Sequence, residues 1–138
     1  MIMKKLYYHL LICAALFSCS SDETTETIID DNQITTPTKA IVNVINFNEE
    51  AQPGYTVLMF EEAPDQENPL PQILLEALSD SDGKATFELN DFILDYGEGT
   101  YYFVAFTKVS NGYVWESINV GSLDISENTI STTFLYIN

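Results

Sequence analysis

From Ala40 onward the chain is a series of short runs rich in β-branched and aromatic residues, most of them ended by a glycine-bearing turn, and this punctuation constrains the fold more than any other feature. The candidate strands are Ala40–Phe47, Tyr55–Glu61, Gln72–Leu78, Lys84–Asn90, Thr100–Val109, Tyr113–Val120 and Thr129–Ile137. Pro53-Gly54, Ser81-Asp82-Gly83, Gly97-Glu98-Gly99 and Asn111-Gly112 separate them, each placing glycine where a positive φ costs little. Gln72–Leu78 is ambiguous, because Pro71 suits the first turn of a helix; its length and its place before a tight turn favour a strand. Seven such strands predict an all-β protein built as a two-sheet sandwich. Residues 40–138, about 100 in all, are enough for one modest core and not for two.

The first residues carry an address. Lys4 and Lys5 precede an apolar run from Leu6 to Phe17, too short for the roughly twenty residues a membrane span needs. A basic start, a short apolar middle and a small-residue exit define a removable export signal. Leu16-Phe17-Ser18-Cys19 resembles the lipobox of bacterial lipoproteins, with Phe17 an unusual residue at its place in that motif. The resemblance implies a signal peptide over residues 1–18 and a lipid-bearing N-terminus at Cys19. Residues 19–39 then read as an acidic tether, since Ile28, Ile29 and Ile34 lack a sustained period and little apolar surface could be buried. Treated as a flexible chain, such a tether spans roughly 25 Å. Its opening, Ser20-Ser21-Asp22-Glu23, resembles the acid-rich signal of surface-exposed lipoproteins of the Bacteroidota, which implies display at the outer membrane surface.

With residues 1–18 removed, the chain loses Cys13, His9, Lys4 and Lys5. Cys19 has no partner for a disulfide, so the domain must rest on its core. Three lysines, Lys39, Lys84 and Lys108, then face 21 acidic residues, a formal balance of −18, with no arginine. Neutralising phosphates takes Lys and Arg in numbers, which excludes nucleic acid as a partner. The same balance argues against docking on anionic lipid, leaving acyl chains as the membrane contact.

The Asn111-Gly112 pair fits a type I′ hairpin turn, which would set Ser110 opposite Tyr113. Phe103 would then face Val120, Ala105 face Ile118 and Val109 face Val114, making that side the core. The opposite side would hold Tyr102, Val104, Phe106, Lys108, Tyr113, Trp115, Ser117 and Asn119, with Lys108 and Trp115 placed for a cation–π contact.

Asp80-Ser81-Asp82-Gly83-Lys84-Ala85-Thr86-Phe87, followed by Gly99-Thr100-Tyr101-Tyr102-Phe103, resembles the acid-x-acid-Gly turn and later Gly-x-Tyr strand of transthyretin-like domains. These include the carboxypeptidase regulatory-like and collagen-adhesin B-type repeats. Pro53-Gly54-Tyr55-Thr56-Val57 sits where that family carries its entry into the second strand. The resemblance covers roughly residues 41 to 137 and rests mostly on turn chemistry. It implies a seven-stranded immunoglobulin-like sandwich without catalytic machinery, of the kind that serves as spacer, stalk or binding module.

The side chains narrow the chemistry further. Without histidine, the mature chain has no base for a serine or cysteine nucleophile and no imidazole for zinc or iron. Glu61-Glu62 and Asp91/Asp95 are carboxylate pairs on paper, but a sandwich of this size leaves little room for a deep cleft. Asp80 and Asp82, with Glu76 nearby, are the candidate cation ligands, too few for the six to eight oxygens calcium takes; the alternative is a turn in which the acids accept backbone amides. No cofactor is expected. The candidate ligand-binding residues are Tyr102, Phe106, Lys108, Tyr113, Trp115 and Asn119, either an open platform for sugar rings or outward aromatics that lie under a loop, lie against a neighbouring strand or simply stabilise cross-strand pairs. The sequence thus predicts a non-catalytic, lipid-anchored envelope module that binds a glycan or a partner protein, with a structural stalk or accessory subunit as the alternative and a small carboxylate enzyme as a third class. An open aromatic face would favour the first, and a covered face with a free sheet edge the second.

Overall fold

A computed structural model describes residues 35–138; the expected signal peptide, Cys19 and the expected tether as far as residue 34 lie outside the described residues. Eight strands and one helix follow in the order β1 (Lys39–Asn46), β2 (Thr56–Phe60), β3 (Ile73–Leu78), β4 (Lys84–Glu88), α1 (Asn90–Tyr96), β5 (Gly99–Val109), β6 (Gly112–Trp115), β7 (Gly121–Ile125) and β8 (Ile130–Ile137). They form two sheets, one ordered β4-β1-β8, the other β3-β2-β5-β6 with β7 also on β5. The protein is an all-β sandwich.

Alternation decides which way each strand faces. On β1, Ala40, Val42 and Val44 are fully buried, whereas Lys39, Ile41, Asn43 and Ile45 point away from the core. The opposing sheet supplies Val57, Met59, Tyr101, Phe103 and Ala105, and Phe87 meets Phe103 across the gap with ring centroids 5.4 Å apart. β2 is buried on both faces, which the apolar run Val-Leu-Met-Phe after Thr56 permits. Its second face, Leu58 and Phe60, joins Val104 and Phe106 in a separate cluster on the far side of the larger sheet.

Three departures from the sequence reading have local causes. The run expected as Lys84–Asn90 ends at Glu88, and Asn90–Tyr96 turns into a helix that carries the chain from one sheet to the other. Phe92 and Ile93 close the end of the core, with Phe92 stacked on Tyr96 at 4.5 Å and the Tyr101 hydroxyl donating to the Gly97 carbonyl at 2.9 Å. Seven residues with three adjacent apolar side chains show no helical period, so the pattern could not reveal it.

The expected strand Tyr113–Val120 is two pieces, and β7 was not anticipated. The chain leaves β5 after Trp115 and rejoins it at Gly121. Between them the amides of Glu116 and Ser117 both donate to the Ala105 carbonyl, at 3.0 and 3.2 Å. The buried Ser117 hydroxyl accepts the Ala105 amide at 3.2 Å and donates to the Asn119 carbonyl at 3.0 Å. One serine thereby satisfies the backbone where the ladder breaks. Gly121 is required by close approach, since a Cβ there would stand 3.1 Å from the Thr133 side chain and 3.2 Å from that of Leu135.

The hairpin turn also lies one residue earlier than expected. Ser110 and Asn111 form it and Val109 pairs with Gly112, so Phe106 faces Trp115 and Lys108 faces Tyr113. Neither turn residue takes a positive φ; Gly112, at φ 146, does. The partners move by two residues along β6, an even number, so the aromatic residues keep their face. The expected inward partners on the second strand do not enter the core: Ile118 is 49% exposed, and Val114 and Val120 are also exposed, as is Val109 at the end of β5. β6 packs chiefly on β5, so inward-pointing residues near the hairpin tip lack an opposing sheet. Ile118 and Val120 lie in the segment that has left the ladder.

Candidate binding face

The larger sheet turns Leu58, Phe60, Val104 and Phe106 outward, and Tyr102, Tyr113, Trp115 and Leu70 pack around them. Leu70 belongs to the segment 61–72, which has no helix or strand and lies over this face. An open notch of about 280 Å³ remains between segment and sheet, lined by Asp65, Gln66, Asn68, Leu70, Phe106, Tyr113 and Trp115. The apolar face is therefore covered by the chain's own loop.

The six candidate ligand-binding residues separate into different roles. Phe106 is 1% exposed and forms the floor, with Trp115 and Tyr113 edge-on to it at 5.3 and 5.8 Å. Edge-on packing is the favoured aromatic geometry, but it leaves no broad flat surface of parallel rings. The Trp115 indole N–H donates to the Ser117 carbonyl at 2.6 Å. Tyr102 is half-buried at the margin, paired with Phe60 on one side and Ser122 on the other.

Lys108 does not meet Trp115. Its ammonium lies 5.7 Å from the Tyr113 ring centroid and 2.8 Å from Glu76 Oε1. The Tyr113 hydroxyl donates to the other Glu76 oxygen at 2.7 Å, so one carboxylate on β3 ties β5 and β6 across the face. Hydrogen bonds from Lys108 and then Tyr113 hold the Glu76 carboxyl below its ordinary range. The same bonds raise the Lys108 ammonium and the Tyr113 phenol above theirs.

Asn119 is not part of the aromatic face. Its side-chain amide donates to the Phe134 carbonyl at 3.0 Å, and its side-chain oxygen accepts the Tyr136 amide at 2.9 Å. With the Ile118 amide on the Tyr136 carbonyl at 2.8 Å, the loop covers part of the outer edge of β8. A short polar cover of this kind hinders pairing with a further strand.

At the acidic turn, Asp80 Oδ1 accepts the amides of Asp82 and Lys84, both at 2.9 Å, and the Asp80 carbonyl accepts the Gly83 amide at 2.9 Å. Asp80 organises the hairpin through backbone bonds. Glu76, considered with it as a cation ligand, is bound to Lys108 and Tyr113 instead. Among the described residues, no group of three or more His, Cys, Asp or Glu side chains is arranged to hold a metal ion.

Sequence reasoning overlooked Leu70 and Glu76 as members of this face. Leu70, between Pro69 and Pro71, lies outside any strand pattern, and Glu76 reaches across the sheet in a way one-dimensional spacing does not show.

No family profile matches the chain, and no curated protein matches it in sequence. Among solved structures it is similar to BcpA, the major pilin subunit of Bacillus cereus, at 14% identity and a TM-score of 0.45, over 75% of this chain and 30% of that one. A streptococcal ancillary pilin shares 11% identity at a TM-score of 0.49, over 75% and 33%. The Bacillus anthracis TIE protein shares 13% at 0.47, over 72% and 16%. The chain spans about a third or less of the length of these three proteins.

Proposed function

We propose that this chain is a non-catalytic structural or accessory module of the bacterial cell envelope, held to the outer membrane by lipid at Cys19 and displayed at the cell surface. The observation that carries this reading over a glycan receptor is the packing of Leu70, from segment 61–72, on the aromatic face, with Phe106 at its floor 1% exposed. A sugar platform needs exposed rings and free donors. Here Trp115 and Phe106 meet edge to face, Lys108 is bound to Glu76, and Asn119 is bound to β8. The lipobox-like Leu16-Phe17-Ser18-Cys19 and the acidic residues after it support the anchoring.

Two measurements test the two halves. Titrating a broad glycan panel while following Trp115 fluorescence should give a flat response, and a saturable change with any glycan would overturn the accessory reading. Cys19→Ala should abolish acylation and release the protein from membranes; normal membrane partitioning of that variant would refute the anchor.

A further inference from the structure

The smaller sheet turns an apolar face to solvent. Ile41 and Ile45 on β1 alternate with its buried residues, as Phe134 and Tyr136 do on β8, and Phe47, just past the end of β1, stacks on Tyr136 with ring centroids 6.2 Å apart. Phe47, Phe134 and Tyr136 are 68, 48 and 37% exposed, so three rings meet water here, whereas Phe106 on the larger sheet is closed off. A contiguous exposed apolar patch marks a contact site. An open notch of about 360 Å³ lies in this face, lined by Ile45, Glu49, Phe134 and Tyr136.

We propose that this notch receives an arginine side chain presented by a partner protein, its guanidinium lying against the Phe134 and Tyr136 rings and paired with the Glu49 carboxylate. The proposal adds a partner contact to the accessory role and stands on the smaller sheet alone, independent of the lipid anchor and of the covered aromatic face.

Charge and shape choose that occupant. Glu49 is the one charged residue lining the notch. Among the described residues it makes no ion pair, since Lys39 is bound to Glu88 at 2.6 Å and Lys108 to Glu76 at 2.8 Å. The faces of aromatic rings carry negative potential and attract a cation. A planar guanidinium can lie on a ring while it pairs with a carboxylate, which a compact ammonium does less well. The notch is too open to enclose a small ligand, so the cation has to arrive on a larger surface, and arginine is enriched where proteins meet. The chain contains no arginine, so neither its own N-terminal residues nor a second copy supplies one. A sugar fits the lining less well. It finds Glu49 and the Tyr136 hydroxyl but no amide, and Asn43, which also faces outward on β1, donates to the Thr133 carbonyl at 3.4 Å.

Glu49 is held in position against its own backbone preference. Its φ is 62, in the left-handed region that L-residues disfavour and glycine adopts freely. Asn46 fixes the turn, its carbonyl accepting the Glu49 amide at 3.0 Å and its side-chain oxygen accepting the amides of Asn48 and Glu50 at 2.9 and 3.0 Å. Strain retained at a residue lining a notch is a pointer to function, and a carboxylate on so well-bonded a turn loses little freedom when it pairs.

The test is a Val-Arg-Val peptide, blocked at both ends, titrated against the full chain while NMR follows the Ile45 methyl and the Phe134 and Tyr136 ring signals. These should shift saturably, and less readily as salt is raised. The same peptide with citrulline, which keeps the shape without the charge, should bind about tenfold more weakly. Glu49→Gln should weaken the arginine peptide about threefold. Glu49→Gly should weaken it as much while unfolding at no lower urea concentration than wild type, which separates lost binding from lost folding. Unshifted signals at the three residues, equal binding of the arginine and citrulline peptides, or undiminished binding by Glu49→Gln would overturn the proposal. A neutral glycan that shifts the same signals saturably would overturn it in favour of a sugar site. Dimerisation of wild type that disappears in Lys84→Ala would overturn it by assigning the notch to a lysine of a second copy.

Discussion

Gly83→Ala perturbs the point where the acidic turn meets β1, and its cost can be built from the geometry. Gly83 has φ +73, and a Cβ there would stand 2.6 Å from the Val44 carbonyl oxygen and 3.0 Å from the Gln52 nitrogen. The left-handed conformation costs an L-residue roughly 1–2 kcal/mol. Relieving the contact means moving backbone that is itself bonded, since the Val44 amide donates to the Gly83 carbonyl at 2.7 Å and the Gln52 amide to the Val44 carbonyl at 2.9 Å. Losing those two bonds adds about 1 kcal/mol each, for a total of about 3–4 kcal/mol. Gly54 is the internal control, at φ +84 with nothing within 4 Å of its Cβ; Gly54→Ala should cost only the conformational part, about 1–2 kcal/mol. In urea unfolding at a slope of about 1.5 kcal/mol/M, Gly83→Ala should lower the midpoint by about 1.3 M more than Gly54→Ala. Equal shifts would refute the claim that the turn is pinned against β1 and reduce Gly83 to an ordinary turn glycine.

Two further outcomes are expected. Phe103→Ala, at a fully buried ring against Phe87, should cost about 3–5 kcal/mol in the same unfolding assay, and Trp115→Ala less; the reverse ranking would make the outer cluster the principal core. The lowered Glu76 carboxyl contributes stability above its unfolded pKa, and that contribution is lost as pH falls through the folded value, so below about pH 4.5 wild type should lose its advantage over Glu76→Gln. Parallel pH profiles for the two proteins would sink this, as would a Tyr113 phenol that titrates unchanged when Glu76 is removed.

Legibility in the sequence followed the range of the interactions. Seven strands could be read because alternation and turn glycines are local signals, and even the ambiguous Gln72–Leu78 is β3. The aromatic face could be read because parity survives a two-residue error in register. What no local pattern encodes is where the ladder ends, at Ser117, a polar residue whose hydroxyl accepts the amide of Ala105 twelve positions earlier. Asn119 looked like a free donor beside aromatics, yet its partners are the backbone of β8, fifteen and seventeen residues ahead. The cover over the aromatic face was invisible for a related reason. A loop of prolines and acids reads as solvated surface until a leucine within it is seen against the sheet.

The parallel pairing of β1 with β8 has a mechanical consequence. The two strands run side by side from Lys39 opposite Ile130 to Asn46 opposite Ile137. A pull applied at Lys39 and at Ile137 would act at opposite ends of the pair and slide one strand along the other. Evenly spaced interstrand bonds then bear the load together, whereas strands drawn apart from one shared end yield one bond at a time. Tension along that axis meets this fold in its more resistant direction, and the lifetime of the folded state under load would be set by the concerted rupture of that ladder.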